Sequence, residues 1–116
     1  MGKVRIFHHP RCSKSRATLA LLEERGLRPE IVDYLSTPPG AAELSAILDR
    51  LGMQPRELMR RDEPEYRELD LDRPTLSRDA LIAAMVAHPR LIQRPIVLAD
   101  GKAAIGRPPE AVLEIL

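Results

Sequence analysis

The chain has 116 residues, 30% of them charged, with 18 Lys and Arg against 17 Asp and Glu. That length suits one domain with a core of its own, and the near-neutral balance argues against a nucleic-acid or polybasic membrane role. No apolar run approaches the ~20 residues of a membrane span, no secretory leader pattern opens the chain, and a lone cysteine excludes an internal disulfide, so a cytoplasmic protein is expected.

In chain order, the apolar run at 4–7 predicts a buried strand that breaks at His9-Pro10, followed by a helical pattern over 13–26. Residues 30–35 read as a second strand, completing a βαβ unit of parallel strands, which Ser36-Thr37-Pro38-Pro39-Gly40 ends. Helices then follow. Leu44, Ile47, Leu48 and Leu51 keep helical spacing up to Gly52, and Pro55 opens a short helix carrying Leu58 and Met59. Residues 62–76 are charged and broken by prolines, with one turn expected over 64–69. Ser77 is positioned as the N-cap of a helix that buries Leu81, Ile82, Met85 and Val86 and stops at Pro89.

The last stretch returns to strands, at 95–99 and 102–105, around Asp100-Gly101, a dipeptide suited to a tight hairpin. A final helix is expected over 110–116. The order βαβ, helical block, ββα predicts an α/β chain around one mixed sheet. By analogy with the thioredoxin arrangement, residues 1–116 are expected to form a single domain with a helical insertion at about 40–90.

Cys12 stands where the first strand hands over to the first helix. The leading N–H groups of a helix lack intrahelical partners and carry a partial positive charge, which favours a thiolate over a thiol. Free cysteine titrates near ~8.5 and falls to roughly 3.5–7.5 at such sites when cations help. His8, Arg11, Lys14 and Arg16 all lie within four residues of it. The same helix start can seat an anion, so an attacking sulfur and an oxyanion site coincide.

Arg94 precedes Pro95 at a strand start and Arg107 precedes Pro108 at a helix start, which pushes both residues to extended geometry. Planar guanidinium forks suit tetrahedral oxyanions. Spacing alone does not choose Arg60 over Arg61, or Arg94 over Arg90. A phosphatase of the Cys-x5-Arg type would need arginine at position 18, which is Thr18. Cys12-Ser13-Lys14-Ser15 matches a short monothiol glutaredoxin pattern. With no second cysteine to attack an adduct on Cys12, the reductant must come from outside the chain. The single cysteine and scattered histidines lack metal-ligand spacing, and neither a metal nor a bound cofactor is expected.

Taken together, residues 6–16, Tyr34-Leu35, Pro38-Pro39, Arg56-Glu57-Leu58-Met59-Arg60, His88-Pro89, Arg94-Pro95-Ile96-Val97 and Gly106-Arg107-Pro108-Pro109-Glu110 resemble the glutaredoxin-coupled arsenate reductases of the ArsC family. The resemblance covers essentially the whole chain in order. It implies a thioredoxin-like fold and reduction of arsenate to arsenite, with glutathione as co-substrate and a glutaredoxin as partner. It further implies Cys12 as nucleophile, His8 as the residue that helps keep it ionised, and Arg60, Arg94 and Arg107 as the anion-binding arginines, with Ser15, Arg16 and a cis Pro95 in support. Two departures stand out: His9 occupies a position where asparagine is expected, and the chain ends at Leu116 where longer members continue. Two other functions use the same residues differently. A monothiol oxidoreductase acting on glutathione mixed disulfides would need Cys12 without the arginines, and an Spx-like interaction module would be no enzyme.

Overall fold

The computed structural model describes residues 3–116 and divides the chain into two compact units. The first joins the residues up to Thr37 with Arg94–Leu116; the second is Pro38–Gln93.

The first unit is built on a four-stranded sheet of β1 (Val4–His8), β2 (Glu30–Asp33), β3 (Ile96–Ala99) and β4 (Lys102–Ile105), in the order β2-β1-β3-β4. β1 runs parallel to β2, with Ile6 beside Ile31 and His8 beside Asp33, and antiparallel to β3, with Ile6 beside Val97. The mixed sheet with its βαβ and ββ parts is the expected α/β, thioredoxin-like arrangement. The strands at the middle of the sheet carry its core: every residue of β3 is buried, and Ile6 and Phe7 of β1 are closed off from solvent. The edge strand β2 is mostly exposed, and its Ile31 keeps half its surface in water.

Between β1 and β2, helix α1 (Ser13–Glu24) buries Ser15, Thr18 and Leu22, one face at intervals of three and four residues. It ends two residues before the reading at Gly26, whose left-handed φ of 77° lets the Gly26 amide reach the Glu23 carbonyl at 2.9 Å and the Leu27 amide reach that of Leu22 at 3.1 Å. Leu22 joins Ile6, Val97 and Val112 in the core cluster of this unit. The hairpin forms around Asp100 and Gly101, both with positive φ, which matches the right-handed twist of the flanking strands. The final segment, Pro109–Ile115, is helical as expected but in the tighter 3-10 form, with Ala111 donating to the Pro108 carbonyl and Leu116 to that of Leu113.

In the second unit, α2 (Ala41–Leu51) ends at Gly52 with φ 66°, and α3 (Pro55–Leu58) begins with proline at its first position. The Glu57 carboxylate accepts from the Gln54 amide at 2.8 Å, one half of a capping box. The proline-broken stretch contains α4 (Pro64–Glu68). Helix α5 (Arg78–Ala87) starts on Ser77, whose hydroxyl accepts from the Ala80 amide at 3.1 Å, and gives way at Pro89 to a 3-10 turn, Pro89–Leu91. Leu44, Ile47, Leu48, Leu58, Leu81, Ile82, Met85 and Leu91 are among the buried residues of this unit, whereas Val86, expected inside, is only half-buried. Among the described residues no helix is long and apolar enough to cross a membrane.

Gly106 follows β4 at a point of very close packing. A Cβ built there would sit 2.8 Å from Pro95 Cγ and even nearer to Thr18 Oγ1. Both neighbours are buried and Thr18 is held, its hydroxyl donating to the Lys14 carbonyl at 2.8 Å. Gly106→Ala is therefore expected to cost about 1–3 kcal/mol of stability, as overpacking does. A urea midpoint equal to that of the parent chain would show that the loop yields without penalty.

Candidate active site

The chemistry-bearing residues of the first unit converge where β1 ends. The turn after His8 is closed by the Cys12 amide donating to the His9 carbonyl at 3.0 Å, and Cys12 itself is the N-cap of α1, with extended φ and ψ of −90° and 122°. Its sulfur is half-buried.

Burial by itself would raise the Cys12 pKa. The opposing influences are larger: the amides of Ser15 and Lys14 point toward the sulfur, although neither forms a regular cap hydrogen bond, and Arg94 adds its hydrogen bond and charge, so the pKa lies below its ordinary value. Arg107 reaches the same atom, its Nη2 lying 3.7 Å from Sγ. The cations beside the sulfur thus come from the far end of the chain, whereas Arg11, Lys14 and Arg16 have exposed side chains. Arg16 points its Nη1 to the Pro10 carbonyl at 3.4 Å.

Because Cys12 ionises at lower pH in the folded chain than in the unfolded one, its ionisation favours folding above the unfolded pKa, and that contribution is lost as pH falls through the folded value. Alkylation of Cys12 by iodoacetamide is accordingly expected to reach half its plateau rate below the ~8.5 of free cysteine. A half-point at or above that value would contradict an activated thiolate.

Arg94 and Arg107 are also tied to their surroundings. Arg107 Nε donates to the Arg94 carbonyl at 2.7 Å, and Arg94 Nη1 donates to the Tyr34 hydroxyl at 3.4 Å. Both arginines precede a cis proline: Arg94-Pro95, the isomer expected there, and Arg107-Pro108.

His8 and Ser15 form a second, buried pair behind Cys12. The Ser15 hydroxyl accepts from the His9 amide at 3.0 Å and lies 2.6 Å from His8 Nδ1. Burial pushes the His8 pKa down, with Arg16 acting in the same direction and Asp33 against it. A neutral imidazole with unprotonated Nδ1, accepting from the serine hydroxyl, satisfies both groups.

Arg60 belongs to the second unit. Its amide donates to the Leu91 carbonyl at 2.7 Å and its Nη1 to Glu63 Oε1 at 2.6 Å, while the other Glu63 oxygen takes Arg90 Nη2 at 3.3 Å. Arg61, which spacing could not separate from Arg60, has an exposed side chain over the Tyr66 ring at 5.9 Å. Among the described residues no group of three or more His, Cys, Asp or Glu is placed to hold a metal ion.

Two contributors were not singled out by residue chemistry. Tyr34 is visible in sequence only as an aromatic just after β2, and Gly106 only as the residue before Arg107; neither position announces a contact with a residue so far along the chain.

Known proteins resemble the chain over nearly its whole length. The chain is 59% identical over 115 residues to the Escherichia coli protein YfgD, covering 98% of this chain and 97% of that one. It is 54% identical over 117 residues to a protein of Neisseria meningitidis serogroup A named arsenate reductase, covering both chains completely. Its structure superposes on one described as the arsenate reductase from Vibrio cholerae with a TM-score of 0.96 at 52% identity, over 99% of this chain and 98% of that one. The model of the ArsC family matches residues 7–115, and with a match of that extent over the segments that carry Cys12, Arg60, Arg94 and Arg107, the chain belongs to the ArsC family.

Proposed function

We propose that this chain reduces arsenate to arsenite through a covalent adduct on Cys12, with glutathione and a glutaredoxin as external reductants. The observation that carries the reading is the approach of two guanidinium groups to one activated sulfur, Arg107 Nη2 at 3.7 Å and Arg94 beside it. Close relatives named arsenate reductase support the choice of oxyanion.

Arg94 and Arg107 would hold the arsenate oxygens and offset the charge that builds on them, with Arg60 as a third anion-binding arginine. The Cys12 thiolate attacks arsenic and one oxygen leaves as water after protonation. The glutathione thiolate next attacks the adduct at the Cys12 sulfur, and the sulfur–arsenic bond breaks with its electron pair passing to arsenic, which leaves as arsenite. The two sulfurs together give up two electrons to arsenic, which passes from the pentavalent to the trivalent state, and they end joined as a mixed disulfide. Glutaredoxin then reduces that disulfide by thiol exchange and returns Cys12 to its thiolate. His8 acts through Ser15: their bond fixes the first turn of α1, whose amides face the sulfur. A reaction that draws on glutathione suits the reducing cytoplasm.

The test is NADPH oxidation in a coupled assay containing the protein, glutathione, glutaredoxin and glutathione reductase, with and without arsenate. Turnover that requires arsenate and both thiol components is expected. If arsenate adds nothing while a glutathionylated peptide is reduced through Cys12, the chain is a monothiol oxidoreductase and the reading fails.

A further inference from the structure

We propose that Tyr34 is a positioning residue for the thiolate, acting through Arg94: its hydroxyl holds the guanidinium in the orientation that faces Cys12. The proposal rests on the reading above for its kinetic consequence and on geometry alone for its effect on the sulfur.

Tyr34 is the residue immediately after β2, whose last pair sets Asp33 beside His8, so its backbone continues the register toward the turn that carries Cys12. The position is well anchored. The amides of Ser36 and Thr37 both return to the Asp33 carbonyl, at 3.1 and 2.8 Å, folding the chain back tightly around Tyr34. The ring is almost wholly enclosed, with 1% of its surface exposed. A tyrosine buried to that degree brings a fixed polar atom into the interior, and a phenylalanine would fill the same volume without one.

That atom meets Arg94. Nη1 of Arg94 is 3.4 Å from the Tyr34 oxygen, while Nε of Arg94 is buried with no hydrogen-bond partner. A long side chain with an unpartnered Nε has several ways to turn, and each turn moves its charge relative to the sulfur. The tyrosine oxygen is a fixed acceptor for Nη1 of the guanidinium fork, which also hydrogen-bonds Cys12. Arg94 in turn accepts Arg107 Nε on its backbone carbonyl, so the two arginines and Tyr34 form one connected set around the sulfur. Arg94 has neighbours on both sides, Tyr34 and Cys12, and both favour its charged form against the cost of burial.

The experiment compares Tyr34→Phe, Arg94→Ala and the double variant by the pH dependence of Cys12 alkylation. Tyr34→Phe is expected to move the half-point upward, lowering the alkylation rate at a fixed pH below it by about three- to tenfold, the range of one hydrogen bond. The KM for arsenate should rise by a similar factor with a smaller change in kcat. In the Arg94→Ala background the tyrosine substitution should add nothing to either quantity. A shift that persists without Arg94 would overturn the proposal, as would a lowered thermal midpoint with unchanged half-point and KM, which is the signature of packing alone. Tyr34→Met, also lacking a hydroxyl, gives the same comparison should the phenylalanine variant fold poorly. The alkylation arm needs no arsenate, so a chain that does not reduce arsenate still reports on Tyr34.

Discussion

Replacing Cys12 with serine is expected to reduce arsenate-dependent turnover by at least about a thousandfold, the order found when a nucleophile that forms a covalent intermediate is removed. A serine hydroxyl at the same N-cap position would accept from helix amides as well as the sulfur does, so the fold should be retained and even the first turn of α1 strengthened. Its high pKa leaves no oxyanion to attack arsenic, and it cannot supply an electron to it. Measured in the coupled assay beside a thermal melt, Cys12→Ser should be inactive at an unchanged or slightly raised midpoint. Residual activity within tenfold of the parent would remove Cys12 from the reaction, since no second cysteine could take its place.

The second large effect is expected at the arginines that face the sulfur. Arg107→Ala removes both the contact at 3.7 Å to Sγ and the bond at 2.7 Å to the Arg94 carbonyl, and Arg94→Ala removes the charge and hydrogen bond that help lower the Cys12 pKa. Each should lower kcat/KM for arsenate by about a hundred- to a thousandfold, the cost of losing a preorganised donor at a developing oxyanion. Both should also raise the pH at which Cys12 becomes reactive. Arg107→Lys keeps the charge but not the planar fork, and is expected to fall between the parent and the alanine variant. Should Arg94→Ala and Arg107→Ala leave KM for arsenate unchanged while the thiol half-point moves, the arginines serve the sulfur alone and the anion is bound elsewhere.

Glu63 bears on how Arg60 would take part. Its carboxylate binds Arg60 at 2.6 Å and Arg90 at 3.3 Å, and both Arg60 and Glu63 have largely covered side chains, 18% and 12% exposed. An oxyanion that used Arg60 would therefore share a guanidinium already engaged, through the N–H groups that Glu63 leaves open.

The elements that local chemistry controls were legible from the residues alone. Asp100-Gly101 accepts positive φ at both positions and produced the hairpin. Gly26 and Gly52 closed α1 and α2 in left-handed conformations, and Ser77 capped α5. Cys12 fell at a helix start because an apolar strand, a proline turn and a helical pattern follow one another within a dozen residues. These are nearest-neighbour effects, and the chain carries them wherever it folds. Boundaries were less legible. The second strand stops at Asp33 rather than residue 35, because the Ser36 and Thr37 amides turn back to Asp33, and the last helix takes the 3-10 form, with the Ala111 and Leu116 amides donating to carbonyls three residues back.

What tertiary structure alone decided is which side chains share a space. Four cation-capable residues lie near Cys12 in sequence, yet the groups that reach its sulfur are Arg94 and Arg107, brought there because β3 pairs with β1 and β4 with β3. His8, read as a cation-capable neighbour that helps keep the thiol ionised, is buried and hydrogen-bonded to Ser15. Gly106 is needed for the close approach of Thr18 and Pro95, and Tyr34 for its reach to Arg94, and the contacts of Gly106 with Thr18 and of Tyr34 with Arg94 join distant parts of the chain. Propensity and hydrophobic pattern act over a few residues and so establish elements. A site assembled by strand pairing depends on order and register, which the chain settles only by burying Ile6, Leu22, Val97 and Val112 together.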